Sequence, residues 1–299
     1  MIKVENVSKR YSKIPVIEHI YLTVSRGEIR GLIGNNGAGK TTLIKCITGI
    51  YKPDDGSVLY DDEKIYDNPG VKHKVGYVSD NCGYLGRYSV SGMVRLYENY
   101  YPNFNKEKFN TLNEEFGLSL KSKVKNLSKG QKMRLGFMLE LSKQPEYLIL
   151  DEPTSGLDPV AKNKFMEILV QEVEKGNIGV LISSHNLGDL EKLCDTITLI
   201  EDGKVTNNTN VDDLKEQFVK LQVVIPGGID SSKLNLPNIV NVSNVGSVYT
   251  IIIDNYDKMT EEWLKSKGAE LIEVIDMGLE ELYVSSQSRK GAEQNEKMA

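Results

Sequence analysis

Residues 34–42 read GNNGAGKTT and combine three glycines with a lysine and two threonines. The glycines let the backbone turn tightly and point successive N–H groups toward an anion. The Lys40 ammonium can reach the β- and γ-phosphates of a nucleotide, and the Thr41 hydroxyl can ligate Mg²⁺. The spacing therefore predicts a phosphate-binding loop. We expect its nucleotide contacts to come from Gly34, Asn35, Asn36, Gly37, Ala38, Gly39, Lys40, Thr41 and Thr42.

The segments on either side of this loop must hold it in place. Residues 28–33 form a short apolar run typical of a buried strand, and residues 41–47 carry apolar side chains at helical spacing. A helix that starts at the loop brings its positive dipole end to the phosphates. A glycine-rich turn that binds nothing is the competing interpretation, and the combination of strand, loop, lysine, hydroxyl and helix disfavours it. The loop alone would fit a kinase, a GTPase or a transport ATPase.

Two adjacent carboxylates follow a second buried strand. Residues 147–150 are an apolar run, after which come Asp151 and Glu152. Asp151 is placed to hold Mg²⁺ through water, and Glu152 is placed to polarise the water that attacks the γ-phosphate. A carboxylate that only caps the strand is the structural alternative. Two consecutive charges at a buried strand end are unfavourable without a cation or partner, which favours the catalytic interpretation.

A short motif and a histidine complete the set. Residues 127–131 read LSKGQ just before a predicted helix at 132–141, and Ser128 is by itself a good helix N-cap. His185 follows the apolar run 179–183, and the ends of parallel strands are where open α/β folds bind ligands. A lone histidine is more often structural, but its position after this strand favours a role in the site.

Taken in this order, the motifs resemble those of the ATP-binding subunit of ABC transporters, over essentially the whole first domain. The resemblance implies that residues 127–131 are the signature motif, that Asp158 ends the D-loop and that His185 is the switch histidine at the γ-phosphate. It also implies that Tyr11 stacks on adenine, although core packing is an alternative for that ring. The signature residues expected at the nucleotide, across a head-to-tail dimer, are Ser128, Lys129, Gly130 and Gln131.

The chain departs from the family pattern at two of these positions. Lys129 stands where the signature usually has glycine, and Asp80 stands where a glutamine usually follows the strand at 75–79. The carboxylate of Asp80 can approach Mg²⁺ or the attacking water, so the expected metal ligands are Thr41, Asp80 and Asp151. The expected catalytic residues are Lys40, Glu152 and His185.

The composition is that of an ordinary globular protein. Hydrophobic residues make up 39% of the 299, enough for one large or two medium cores. No run of about 18 apolar residues occurs, and the first residues, MIKVENVSKRY, lack a signal peptide's apolar block. The net charge of −5 predicts no nucleic-acid partner. The cysteines are odd in number and widely spaced, which predicts free thiols and argues against a disulfide framework or a zinc site. They are Cys46, Cys82 and Cys194.

The pattern along the chain predicts an α/β P-loop NTPase fold with a small second domain. We expect a nucleotide-binding domain at 1–215, with an N-terminal antiparallel β subdomain, a polar break at 8–13 and a helical subdomain at about 81–145. The polar residues 207–213 separate it from a small α+β domain at 216–285, with strands at 221–226, 248–253 and 269–275. Residues 286–299 are expected to be disordered.

The resemblance implies an ATPase that binds ATP and Mg²⁺ and works with a separate transmembrane permease subunit. It implies a homodimer, or a heterodimer with a second ABC ATPase, located in the cytoplasm at the inner face of the membrane. The signature lysine and the acidic residue at 80 resemble exporters of Gram-positive bacteria, so the expected cargo is a drug, a peptide or a lipid-like molecule. A soluble ABC-type ATPase that acts on ribosomes or DNA is the alternative.

Overall fold

The computed structural model describes residues 1–81, 86–176, 178–188, 190–191, 193–282 and 284–285. The chain forms two compact units that divide after Asn208. The division lies before residue 215, the boundary expected from the sequence, because the helix that starts at Val211 contacts the first strand of the second unit. The tail expected to be disordered at 286–299 lies outside the described residues, as does Cys82.

Strands and helices of the first unit alternate along most of its length. Its strands are β1 (Ile2–Tyr11), β2 (Ile14–Val24), β3 (Ile29–Ile33), β4 (Asp55–Tyr60), β5 (Glu63–Lys64), β6 (Val75–Val78), β7 (Tyr147–Asp151), β8 (Gly179–Ser184), β9 (Thr196–Glu201) and β10 (Lys204–Asn210). Its helices are α1 (Lys40–Ile47), α2 (Pro69–His73), α3 (Val90–Tyr100), α4 (Lys106–Phe116), α5 (Lys129–Ser142) and α6 (Pro159–Gly176).

The central sheet of the first unit has the strand order β10-β9-β3-β8-β7-β6. Strand β3 pairs in parallel with β8 and β9, and β7 pairs in parallel with β6 and β8. Every residue of β3, β7 and β8 is buried, which is the expected environment for continuous apolar strands in a parallel sheet. Because these strands run in the same direction, the segments that follow them meet at one edge of the sheet.

A second, antiparallel sheet packs its apolar face into the same core, with the order β2-β1-β4-β5. The polar break predicted at 8–13 is shorter in the structure. Strand β1 continues through it to Tyr11, which pairs with Ile14, so only residues 12 and 13 form the turn. Pairing with β2 satisfies the backbone of this polar segment, and cross-strand pairing of this kind overrides weak local strand preference.

Helices α3, α4 and α5 lie between β6 and β7, in the part of the chain for which helical spacing was predicted. Helix α5 begins at Lys129, three positions before the predicted start, because Ser128 caps it. Among the helices that the structure describes, none is long and apolar enough to cross a bilayer. Cys46 and Cys194 are buried free thiols, and burial raises the pKa of both, that of Cys46 to about 11.

The second unit is built on a four-stranded antiparallel sheet with the order β12-β13-β11-β14. Its elements are α7 (Val211–Gln217), β11 (Phe218–Val224), β12 (Ile239–Val245), β13 (Val248–Asp254), α8 (Lys258–Ser266) and β14 (Leu271–Ile275). Leu264 of α8 packs on the sheet residues Leu221, Ile251 and Ile253 in a fully buried cluster.

Two segments of the chain were assigned wrongly from the sequence. The polar residues 207–213, expected to be a break, instead end β10 and start α7, where the Asn210 side chain accepts a hydrogen bond from the Asp212 N–H. Strand β12 was missed because Asn and Ser interrupt its apolar residues and none of its side chains is more than partly buried. Its register is set by β13, where Val242 lies opposite Ile251.

The cluster in the second unit predicts how a core substitution will act. Replacing the fully buried Ile251 by Ala should lower the free energy of unfolding by about 2–5 kcal/mol, since it removes contacts and leaves a cavity. Replacing Val245, which is 86% exposed, by Ala should change it by less than about 0.5 kcal/mol. Urea unfolding followed by the fluorescence of Trp263, the single tryptophan, measures this unit. Equal midpoints for the two variants would contradict the assignment of this core.

Candidate nucleotide site

The loop between β3 and α1 has backbone angles that glycine adopts most readily. Gly37 has φ +88° and Gly39 has φ +104°. A Cβ atom at Gly39 would lie 2.6 Å from Ile17 Cγ2, and one at Gly34 would lie 2.3 Å from the Ile200 carbonyl oxygen. Gly39 is also the N-cap of α1 and brings no side chain that could occupy the first N–H groups of that helix. Those N–H groups are therefore available to an anion.

The loop borders a cavity of about 350 Å³. The lining residues are Val16, Asn35, Asn36, Gly37, Gly39, Lys40, Thr41, Thr42, Asp80 and Glu152. Gly34 and Ala38 are buried under the loop instead, and the Ala38 carbonyl accepts a hydrogen bond from Gly203. Most of the residues predicted to contact phosphate thus surround one space, and the acidic residues Asp80 and Glu152 line the same space.

Lys40 is folded back onto its own loop. Its ammonium is 6% exposed and donates to the carbonyl oxygens of Gly34 at 2.5 Å and Asn35 at 3.3 Å. It also lies 3.3 Å from Glu152 Oε1. A buried ammonium needs such partners, and a phosphate oxygen is a stronger partner than a carbonyl. The geometry therefore holds the lysine next to the place where a phosphate would enter.

Asp151 is buried at the end of β7. Its Oδ1 accepts a hydrogen bond from Ser183 Oγ at 2.9 Å and a longer one from Thr41 Oγ1 at 3.4 Å. Burial raises the pKa of Asp151 above its usual value, the two hydrogen bonds lower it, and the charges of Glu152 and Asp80 raise it further. A carboxylate under this repulsion gains from a nearby cation.

Glu152 is held by its neighbours on both sides. Its φ is +50°, and its backbone N–H donates to Ser183 Oγ at 3.0 Å. Its Oε2 accepts from His185 Nδ1 at 2.9 Å, while the buried Oε1 has no hydrogen-bond partner within the described part of the chain. This Oε1 instead forms an ion pair with the Lys40 ammonium at 3.3 Å, and movement of that lysine to a phosphate would free Oε1 to orient a water.

Ser183 is the functional residue that the sequence analysis did not select. It joins Asp151 to the Glu152 backbone and is fully buried in β8. The sequence contained one signal for it, a pair of serines at the end of a strand that is otherwise apolar. A buried hydroxyl needs hydrogen-bond partners, and the end of the neighbouring strand β7 provides them.

Tyr11 lies at the mouth of the loop. Its ring is 46% exposed and meets the edge of the Tyr51 ring at a centroid distance of 6.1 Å. Its hydroxyl is 3.3 Å from Thr42 Oγ1. The ring is thus on the surface beside the phosphate loop, an environment that differs from the core packing considered as its alternative.

The predicted signature residues, 128–131, lie at the start of α5. Ser128 caps α5 and Gln131 reaches back to the Ser128 N–H, which makes a capping box. A Cβ atom at Gly130 would lie 2.4 Å from the Gly156 carbonyl oxygen, so the start of α5 packs tightly on the D-loop. Asp158 Oδ1 accepts from the Ala161 N–H at 2.9 Å, and this backbone hydrogen bond lowers the pKa of Asp158. None of residues 128–131 is among the described residues that line the cavity.

The side chains around the cavity fit a hard divalent cation. Thr41 offers a hydroxyl oxygen, and Asp80 and Asp151 offer carboxylates, which is the ligand chemistry of Mg²⁺. No cluster of three His, Cys, Asp or Glu side chains that could form a complete cage occurs in the described parts of the chain. Mg²⁺ typically takes one or two carboxylates and completes its shell with phosphate oxygens and water, so the sparse set suits a nucleotide-bound ion.

Comparisons with known proteins agree with this geometry. A family model described as ABC transporter matches residues 17–155. The ABC transporter ATP-binding protein YtrB of Bacillus subtilis is 30% identical over 285 residues, which cover 95% of this chain and 97% of that protein. The bacitracin transport ATP-binding protein BcrA of Bacillus licheniformis is 31% identical over 220 residues, 73% of this chain and 72% of that protein. A solved structure of an ATP-binding subunit of an ABC transporter is 29% identical, with a TM-score of 0.67 over 72% of this chain and 92% of that one.

The strained charge of Asp151 predicts a gain in stability when that charge is removed. Replacing Asp151 by Asn keeps an oxygen that can accept from Ser183, and we expect the variant to unfold at a higher temperature than the wild type at pH 7 without nucleotide or Mg²⁺. Because the folded-state pKa is raised, ionisation disfavours the folded state. The stability difference between D151N and the wild type is therefore complete above the raised folded-state pKa. It disappears below the pKa of Asp in the unfolded chain, about 3.9. Thermal unfolding measured from about pH 4 to pH 8 tests this.

Adding Mg²⁺ and ATP should make the wild type unfold at a higher temperature than D151N. The wild type gains stability from ligand binding, whereas the Asn variant lacks the carboxylate that attracts the cation and gains much less. Asp202→Asn is the matched control, because Asp202 is exposed and its φ of +46° is tolerated by Asn. A D151N protein that is less stable than the wild type at pH 7 without ligands would contradict the interpretation.

Proposed function

This chain belongs to the ABC transporter family, and from that premise we propose that it is the ATP-binding subunit that hydrolyses ATP to drive transport through a separate membrane subunit. The single observation that carries the proposal is the meeting of three strand ends at or beside one cavity. The loop after β3 brings Lys40 and Thr41 to the lining, the end of β7 brings Glu152 to the lining and Asp151 against Thr41, and the segment after β8 brings His185 against Glu152. Phosphoryl transfer requires this combination of positioning and charge.

Each of these side chains has a defined role in the proposal. Lys40 exchanges its contacts with the loop carbonyls for the β- and γ-phosphates, which neutralises part of their charge. Thr41 and Asp151 hold Mg²⁺, which when bound withdraws charge from the γ-phosphate. Glu152 accepts a hydrogen bond from the attacking water at Oε1, the oxygen that the Lys40 ammonium leaves when it moves to the phosphates. His185 holds the carboxylate of Glu152 by its other oxygen and faces the γ-phosphate.

The nucleotide base is proposed to lie against the exposed ring of Tyr11, which is adjacent to the loop. The ends of the phosphate chain then lie over the N terminus of α1. The remaining contacts come from a second ATPase chain. Residues 128–131 of this chain do not line its own cavity within the described residues, so in the proposal Ser128 and Gly130 serve the ATP of a partner in a head-to-tail dimer.

The dimer is proposed to work on a transmembrane permease subunit at the inner face of the cell membrane. In the proposal that subunit provides the path for the cargo, as the membership of this chain in the ABC transporter family suggests. The bacitracin transport protein is a relative over 73% of this chain, and we propose export of a drug, peptide or lipid-like cargo. Cargo is selected by the membrane subunit, and the residues of the ATPase site do not distinguish these classes.

Replacing Glu152 by Gln tests the catalytic assignment. The amide keeps the size of the side chain but cannot take the proton of the attacking water, so steady-state hydrolysis should fall by at least about 100-fold. Binding of ATP should remain, and with slow turnover the ATP-bound dimer should accumulate. Phosphate release and light scattering with ATP measure the two effects.

The matched control for this experiment is Glu174→Gln on the exposed side of α6, which removes the same charge far from the cavity lining. Its hydrolysis rate should equal that of the wild type. Undiminished hydrolysis by a pure E152Q protein would refute the assignment of the base, and loss of ATP binding by that variant would show that it acts on binding instead.

The partner is tested by purifying the tagged full chain from detergent-solubilised membranes. We expect a polytopic membrane protein to be recovered in a fixed ratio to the ATPase, and Lys40→Ala to retain that partner while losing ATP binding. Mass spectrometry identifies the partner and shows whether a second ATPase is present. Recovery with ribosomes and without a membrane protein would contradict the proposal.

A further inference from the structure

The two positions at which the chain departs from the motif pattern of ABC ATPases contact each other. The Lys129 ammonium forms an ion pair with Asp80 Oδ1, and it donates a hydrogen bond to Ser155 Oγ at 3.0 Å. Asp80 follows β6 and lines the phosphate cavity, Lys129 is the first residue of α5, and Ser155 belongs to the D-loop. One ammonium therefore joins three functional segments of a single chain, which we call the Asp80–Lys129–Ser155 latch.

A lysine at the start of α5 has no favourable role in the helix itself. The N-terminal end of a helix carries positive partial charge, which disfavours a cation there, and the first turn of α5 contains no acidic residue. The capping box of Ser128 and Gln131 satisfies the helix start without Lys129. The compensation for this charge comes from Asp80, outside the helix.

The methylene groups of Lys129 pack on the backbone at Gly156. A Cβ atom at Gly156 would lie 3.4 Å from Lys129 Cδ, so the methylenes pass directly over the D-loop backbone. The Ser155 N–H donates to the Glu152 carbonyl at 3.1 Å, which makes the latch continuous with the turn that carries the proposed base. Both ends of the latch thus contact the site. Asp80 lines the cavity, and Ser155 is hydrogen-bonded to the backbone of Glu152.

We propose that Lys129 is a positioning residue that competes with Mg²⁺ for the Asp80 carboxylate, a proposal that rests on the proposed function. Without nucleotide, Asp80 pairs with Lys129 and the start of α5 stays tied to the cavity of its own chain. When Mg²⁺ and ATP enter, Asp80 turns to the cation, and Lys129 and Ser155 are released for contacts with a partner chain. A carboxylate can serve both cations in turn, whereas a neutral amide at position 80 could not form either ion pair.

The strength of the latch matches this role. The side chains of Lys129 and Asp80 are 47% and 37% exposed, and exposed ion pairs are weak and screened by salt. Binding of a divalent cation with ATP can therefore open the latch, while the latch still raises the Mg²⁺ concentration that is needed. We expect an effect of about two- to five-fold on that concentration, as for other exposed pairs.

Binding of Mn²⁺ as a probe for Mg²⁺ tests the competition without turnover. The full chain is mixed with the non-hydrolysable analogue AMP-PNP, and bound Mn²⁺ is measured by electron paramagnetic resonance. Lys129→Met keeps the stem over Gly156 but removes the charge, so half-saturation should occur at about two- to five-fold lower Mn²⁺ than in the wild type. Lys129→Arg keeps the charge and should behave as the wild type.

Lys132→Met is the control, because it removes the same charge one turn along α5 and should leave the Mn²⁺ midpoint unchanged. Asp80→Asn should raise the midpoint, and adding Lys129→Met to it should have no further effect, since the shared carboxylate is gone. A merely structural role for Lys129 would change the unfolding temperature without changing the Mn²⁺ midpoint.

An unchanged or higher Mn²⁺ midpoint in K129M would overturn the latch and leave the proposed function intact. The same conclusion would follow if K129M lowered the midpoint equally in the presence and absence of the Asp80 carboxylate. If the wild type itself bound no Mn²⁺ with AMP-PNP, the proposed function would fail, and the latch with it.

Discussion

The Ser183 hydroxyl ties the carboxylate of Asp151 to the backbone of Glu152. It donates to Asp151 Oδ1 and accepts from the Glu152 N–H, and it sits in β8, the strand next to the one that ends in these carboxylates. The pairing of Asp151 with Ser183 in the parallel register of β7 and β8 makes both contacts possible. A buried hydroxyl left without partners would cost about 1–3 kcal/mol, so the sheet register and the site support each other.

The same arrangement concentrates negative charge where a cation is needed. Asp80 and Glu152 line the cavity, Asp151 is buried next to them, and burial together with the repulsion of the other two carboxylates raises the pKa of Asp151. The nearest cations belong to the chain itself: Lys40 lies against Glu152, and Lys129 pairs with Asp80. The protein thus offsets part of this charge with two of its own lysines, and in our proposals both lysines exchange partners when nucleotide and metal bind.

Much of the first unit could be predicted from the sequence because its signals are local and strong. Continuous apolar runs predicted the buried strands β3, β7 and β8, and the glycines of the loop predicted its tight backbone. The signals failed where pairing across strands decides the structure. Strand β12 and the polar end of β10 contain Asn side chains, which disfavour strands, and pairing with neighbouring strands offsets that weak local preference.

The sequence by itself determined which chemical groups the site contains, because their types and order along the chain are written in the motifs around Lys40, Glu152 and His185. The tertiary structure decided which groups touch. Ser183 becomes the link between the Asp151 carboxylate and the Glu152 backbone, and Lys129 becomes the partner of Asp80, only when segments far apart in the chain are brought together. Spacing along a chain fixes contacts within a helix or a turn, whereas contacts between strands and helices depend on how the whole sheet is ordered.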